Sequence, residues 1–189
     1  MTDQTHLGGA YETGDANTIM PDIWGYLIVK YGVRSVLDIG CGFGHSCSYF
    51  GSMCQPISWL GIDGWKEAID RTVAKGCVRL HDFTTGPCEL NDTFDLAWSS
   101  EFVEHVDEVY QANYMAAFQK CRRACITHSV PGQAGFHHVN CRDDAYWIAV
   151  FANYGFAFDA AETALMRRTD CYGAVWGRCT LMLFHRLAL

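Results

Sequence analysis

The stretch Val36-Leu37-Asp38-Ile39-Gly40-Cys41-Gly42-Phe43-Gly44 decides the fold. Its apolar part reads as a short buried strand. Glycines then stand at alternate positions, and without a Cβ they let the backbone turn tightly and approach a ligand. His45 to Tyr49 can start a helix directly after them. A strand, a bare glycine turn and a helix N-terminus together make a nucleotide-binding corner. The dinucleotide fingerprint wants a third glycine where His45 stands. The pattern here is instead an acid followed by Gly-x-Gly-x-Gly.

Outward from this corner, strands and helices alternate. Before it, Asn17 is expected to cap a helix running to Tyr31, with Ile19, Ile23 and Leu27 on one face and Gly32 ending it. Ser35–Ile39 is the first strand, and residues 43–53 the first crossover helix. Ile57–Ile62 is the second strand. Trp65, Ala68, Ile69 and Val73 mark an amphipathic helix closed by Gly76. Val78–His81 and Phe94–Trp98 are the third and fourth strands. Tyr110, Tyr114, Ala117, Phe118 and Cys121 recur at helical spacing, and Ala124–Ser129 is the fifth strand. Asn140, with Asp143 three residues on, is expected to cap a helix that ends at Gly155. Phe156–Asp159 and Thr180–His185 read as a closing antiparallel pair. The expected fold is α/β: a Rossmann-like, doubly wound, seven-stranded, mostly parallel sheet with an antiparallel last strand and helices on both faces.

The 189 residues suit one domain, 1–189, with a full core. It divides into an N-terminal arm or lid (1–16), a cofactor half (17–130) and an acceptor half (131–189). Half the residues are hydrophobic and 19% are charged, which excludes a disordered chain. A net charge of −7, with no basic cluster larger than the pairs Arg122-Arg123 and Arg167-Arg168, argues against nucleic-acid and anionic-membrane partners. No apolar run approaches a membrane span. The ten cysteines show no C-x-x-C pair and no zinc-finger spacing, and the first ten residues lack the apolar region of a signal peptide. Reduced thiols packed as small hydrophobes in a cytoplasmic protein are expected.

Ligands of such sheets lie beyond the C-terminal ends of the strands. After strand 2 comes Asp63-Gly64-Trp65, and Asp63 follows Gly44 by 19 residues. That is close to the offset at which an acid meets ribose hydroxyls. After strand 3 comes Asp82-Phe83, a carboxylate and a ring suited to an adenine. After strand 4 comes Ser99-Ser100-Glu101-Phe102-Val103-Glu104-His105. These stations, in this order, resemble the class I S-adenosylmethionine (SAM)-dependent methyltransferases of small-molecule type. The segment Phe94–Val106 is similar to the FDLVWSxExxEH stretch of many members. The resemblance covers residues 33–130 in detail and the rest in layout. It implies that Asp38, Gly40, Cys41, Gly42 and Gly44 hold the methionine part of SAM. Asp63 would bind ribose, lined by Gly64 and Trp65. Asp82 and Phe83 would frame adenine, and Ser99 with Glu101 would lie near the sulfonium. S-adenosylhomocysteine (SAH) would be the product.

Four histidines fall on the acceptor half: His105, His128, His137 and His138. An imidazole that titrates near neutrality can take the proton of a hydroxyl or amine as methyl transfers. His138, in the loop Pro131–Asn140, is the first candidate to contact the acceptor or act as base. His105, Glu101 and His128 follow it. Methyl transfer to a positioned acceptor can also proceed by alignment and desolvation, with no base. No metal is expected, because Thr127-His128-Ser129-Val130-Pro131 lacks the acid-rich pattern of catechol-type methyltransferases. The Asn/Asp-Pro-Pro-Tyr/Phe signature of amine methylation is absent, and Ser99-Ser100-Glu101-Phe102 stands in its place. The expected acceptor is a small-molecule hydroxyl, amine or carboxyl. The arm, the 131–140 loop and the 160–175 segment would cover it, with Tyr11, Trp24, Tyr146 and Trp147 available as walls. A homodimer is compatible with this reading. The alternatives are a SAM-binding partner protein without turnover and a Rossmann-type oxidoreductase.

Overall fold

The structure, a computed structural model, describes residues 6–8, 18–54, 57–74, 76–169 and 175–188. Seven strands form one sheet: β1 (Ser35–Ile39), β2 (Ser58–Asp63), β3 (Val78–Leu80), β4 (Leu96–Ser99), β5 (Arg123–Ile126), β6 (Phe156–Phe158) and β7 (Met182–Arg186). Their order is β3-β2-β1-β4-β5-β7-β6. All neighbours pair in parallel except β7, which runs antiparallel to both β5 and β6. This is the doubly wound sheet expected from the alternation of elements. The strand order reverses between β1 and β4, so a crevice opens there beyond their C-terminal ends.

Two apolar layers flank the sheet. One contains α1 (Pro21–Tyr31), α2 (His45–Ser52) and α6 (Ala160–Met166), and packs Ile23, Trp24, Leu27, Phe50 and Met166 on Val36, Leu96, Trp98 and Leu183. The other contains α4 (Gln111–Phe118) and α5 (Asp144–Asn153), and packs Tyr114, Phe118, Trp147 and Phe151 on Leu37, Ile39, Ala97 and Phe184. Helices α3 (Lys66–Asp70) and α7 (Val175–Cys179) are short. No helix among the described residues is long and apolar enough to cross a membrane. No disulfide joins the described cysteines.

Several boundaries differ from the sequence reading, each for a local reason. Helix α1 starts at Pro21 after Met20, which supplies no side-chain cap, and the expected cap Asn17 lies outside the described residues. Gly32 does end it, at φ 60°. Helix α3 stops at Asp70 instead of reaching Val73. There Val73 N–H donates to the Phe43 carbonyl (2.9 Å) and Thr72 Oγ1 donates to the same oxygen (3.0 Å), so the chain turns to brace the glycine turn. Asp143, not Asn140, caps α5 by accepting from Tyr146 N–H at 2.9 Å. Asn140 is buried, and its Oδ1 accepts from Arg142 instead. Helix α6, unforeseen in the sequence, leans on α1 through Tyr26 Oη, which donates to Glu162 Oε2 at 2.6 Å. The described part of the 160–175 segment therefore lies away from the crevice rather than over it.

Candidate active site

A cavity of about 890 Å³ occupies the crevice beyond β1, β2 and β4. Its floor is the turn after β1. Gly40 (φ 76°) and Gly42 (φ 51°) adopt left-handed backbone that side chains disfavour. A Cβ on Gly40 would overlap the Phe102 ring, whereas one on Gly42 would project into open space. The turn thus offers bare backbone to the cavity. Gly44 does not line it. Its φ of 78° starts α2, and a Cβ there would press on Thr72 Oγ1.

Three carboxylates stand along this end. Asp38 is buried at the end of β1, and its Oδ2 accepts from Ser46 Oγ and from Cys47 Sγ. Burial outweighs those bonds and pushes its pKa up to about 7. Asp63 takes Gly42 N–H on Oδ2 and Trp65 N–H on Oδ1, both at 2.8 Å. Burial still raises its carboxyl above the ordinary value despite the bonds from Trp65, Gly42 and Gly64. Two carboxylate oxygens keep further lone pairs for a ligand's hydroxyls. Asp82 caps the turn Phe83–Thr85 by accepting from Thr84 N–H and Thr84 Oγ1, each at 2.8 Å. Its other oxygen accepts from His6 Nε2 at 3.0 Å. Burial would raise this carboxyl, but the Thr84 and His6 contacts bring it below its ordinary value.

His6 was not anticipated. The only signal for it was the polar, glycine-containing N-terminal stretch. Residues 6–8 span the mouth, with Leu7 over Gly64 and Gly8 against the Phe136 ring. His45, which displaces the fingerprint glycine, lines the cavity with a buried Nε2 that has no protein partner. Phe102 also went unassigned. It stands edge-on to the buried Phe83 at 5.8 Å and walls the cavity beside it. Trp65 and Ser99 do not reach the cavity. The Trp65 ring packs edge-on to Phe43, and Ser99, fully buried, donates its hydroxyl to the Ile39 carbonyl and ties β4 to β1. Cys41 does line it, with its thiol raised through its contact with Cys47 and by burial.

The other end of the cavity gathers Glu101, His105, Val106, Tyr110 and Gln133 to His138. Glu101 holds a left-handed backbone (φ 50°), and its N–H donates to Thr127 Oγ1 at 2.9 Å. Ser129 Oγ donates to Glu104 Oε1 at 2.9 Å and lies 3.4 Å from Glu101 Oε2. Burial raises both carboxyls, and the Glu101 charge raises that of Glu104 further. The Glu104 carbonyl accepts from Val139 and Asn140 N–H, each at 3.0 Å, which anchors the 131–140 loop. His105 and His138 stand edge to face with ring centres 4.9 Å apart. Burial and the neighbouring His138 lower the His105 pKa to about 4, so its imidazole is neutral at physiological pH. His128 is elsewhere. It is buried behind β5, where Nε2 donates to Asp144 Oδ1 at 3.0 Å and the ring rests 6.1 Å from Trp147. Trp24 and Trp147 are buried in the two layers, and Tyr146 is bonded to Gln111 outside the cavity. Tyr11 lies outside the described residues.

Residues 37–128 match the family model for a methyltransferase domain. No curated protein matches the chain in sequence. Solved structures share the fold. The methyltransferase domain of bacterial CtHen1 superposes with a TM-score of 0.62 at 13% identity, covering 88% of this chain and 97% of its own. Magnesium protoporphyrin IX methyltransferase from Synechocystis, with bound SAM, gives 0.61 at 16% identity over 88% of this chain and 78% of its own. The plantazolicin methyltransferase BamL, with SAH and a triazolic desmethylPZN analogue, gives 0.61 at 15% identity over 92% and 84%.

Proposed function

We propose that this chain, a class I SAM-dependent methyltransferase by its fold and its matched cofactor half, methylates a hydroxyl, amine or carboxyl of a small molecule. The observation that carries the reading is a single cavity that runs from Asp38, Asp63 and Asp82 to His105 and His138. A cavity of about 890 Å³ falls within the range that encloses a cofactor-sized ligand, toward its upper end. The bare glycine turn and the unpartnered His45 Nε2 fit SAM at the first end. When bound, SAM supplies a methyl group on a positively charged sulfonium.

The chain's own residues have separable tasks in this reading. Asp63 accepts the ribose hydroxyls and already braces the turn through Gly42. Phe83 and Phe102 give the base an apolar wall, while the Asp82 turn closes its edge. Asp38 faces the methionine amine, and His45 its carboxylate. Residues 6–8, held by His6 to Asp82, exclude water from the mouth. At the far end His138, His105 and Glu101 line the cavity and orient the acceptor. Tyr110 and Phe136 supply apolar surface there. The acidic net charge, and neighbours whose names state a porphyrin and plantazolicin, support a small-molecule acceptor over a nucleic acid.

Calorimetric titration with SAM, SAH and NADH tests the cofactor half. Micromolar binding of SAM and SAH, abolished in Asp63→Ala, with no NADH binding, is expected. A screen of small hydroxyl, amine and carboxyl compounds for SAH release then tests the acceptor half. Turnover of none of them, with SAH binding intact, would leave a cofactor-binding partner protein.

A further inference from the structure

Within the acceptor end, Glu104, His105 and His138 bring ligand atoms within 4.8 Å of one another. Glu104 is fully buried, yet its Oε2 has no hydrogen-bond partner. The His105 Nδ1 and the Glu101 Oε1 are likewise buried and unpartnered. Orphaned buried acceptors are uncommon, and each one asks for a missing partner. Among the described residues no Lys or Arg pairs with Glu101 or Glu104. Two carboxylates therefore share a buried site, joined by Ser129, without a compensating Lys or Arg among the described residues.

The histidines are set as metal-binding histidines are set. His138 Nδ1 lies 3.2 Å from the Gln133 carbonyl, which leaves Nε2 available. His105 has the Phe136 carbonyl beside its ring, which leaves Nδ1 available. A carbonyl that holds one ring nitrogen fixes the tautomer and presents the other to a metal. Glu101 lines the same cavity, one side of Ser129 from Glu104.

We propose that Glu104, His105 and His138, with Glu101 as the fourth ligand, bind one divalent first-row transition metal ion at the acceptor end of the cavity. Two imidazoles and carboxylate oxygens suit Mn²⁺, Co²⁺ or Zn²⁺ better than Mg²⁺ or Ca²⁺, which prefer an all-oxygen shell. Two carboxylates and a divalent cation sum to zero charge, which resolves the buried pair. The cation's remaining coordination positions face the cavity, where they can hold an acceptor oxygen. That task rests on the methyltransferase reading, whereas the binding of the ion does not. This departs from the sequence expectation of no metal, which weighed only the segment after β5. The ligands come instead from the segment after β4 and from the 131–140 loop.

Equilibrium dialysis of the chelator-stripped full chain against Mn²⁺, Co²⁺ and Zn²⁺ tests it, with metal content measured and the visible spectrum of the Co²⁺ form recorded. One ion per chain is expected, with affinity at least ten-fold weaker in Glu104→Gln and in His138→Ala. SAH titration of the same samples reports folding and the cofactor half independently. Loss of metal with SAH binding kept is the expected pattern in both variants. No stoichiometric metal in the parent chain, or parent-like affinity in a folded His138→Ala variant, overturns the proposal. Metal binding without SAH binding in the parent would overturn the methyltransferase reading alone.

Discussion

Gly40 and Phe102 compete for one volume: a Cβ on Gly40 would sit 2.4 Å from the Phe102 ring. The turn after β1 and the segment after β4 are thereby fitted to each other across the crevice. Gly40→Ala adds that overlap to a left-handed backbone at φ 76°, which alone costs about 1–2 kcal/mol. Expected results are a Tm lowered by at least ~4 °C in calorimetry and SAH affinity reduced about ten-fold or more. Unchanged SAH affinity would remove the turn from the cofactor site.

Asp38 makes the chain's stability depend on pH in a predictable direction. Its carboxyl titrates near pH 7 in the folded state, against an ordinary value of 3.8. Between these values the native chain holds a proton that the unfolded chain lacks, so stability falls as pH rises from about 4 through 7. The full difference is on the order of 4 kcal/mol. Asp38→Asn is expected to flatten the Tm-versus-pH profile and to raise Tm at pH 8. In the proposed site it should weaken SAH binding, because the methionine amine would lose its carboxylate. In the parent, SAH affinity is expected to strengthen as pH rises through 7.

His128 and His138 should separate cleanly on substitution. His128→Ala removes a buried imidazole that braces Asp144, itself held by Arg167 at 2.9 Å. A loss of about 1–3 kcal/mol in denaturant unfolding is expected, with SAH affinity and methyl transfer per folded molecule unchanged. Loss of transfer at parental stability would place His128 in the chemistry after all.

Gly135 offers a way to move His138 without altering it. A Cβ there would meet His138 Nε2 at 2.1 Å, and the Gly135 backbone is not left-handed, so alanine itself is unstrained. The ring must leave its present place against His105. Gly135→Ala is expected to keep SAH binding within about two-fold and to cut methyl transfer at least ten-fold. Parental turnover would show that the ring position does not matter.

The sheet and the acids at its strand ends were legible because they depend on short-range pattern. Ser35–Ile39 stands out as an apolar strand ended by glycines, and the acids after β2 and β3 fall at strand ends. The acceptor end was only half legible. Glu104 carried no assignment, because the sequence does not reveal that the Pro131–Asn140 loop folds back to put His138 beside it. His128 sits two residues past β5, where a lining position was expected, yet it turns into the core to meet Asp144. His6 reaches Asp82 across 76 residues, a separation that no local pattern encodes.

The insertion of β7 between β5 and β6 has a consequence for synthesis. Strand β6 is made earlier but touches the sheet only through β7. A nascent chain that has not yet passed Arg186 therefore carries β5 as a bare hydrophobic edge. Such an edge is a template for pairing between chains. Ribosome-stalled intermediates of this protein should be chaperone clients until the seventh strand emerges, however early the glycine turn has formed.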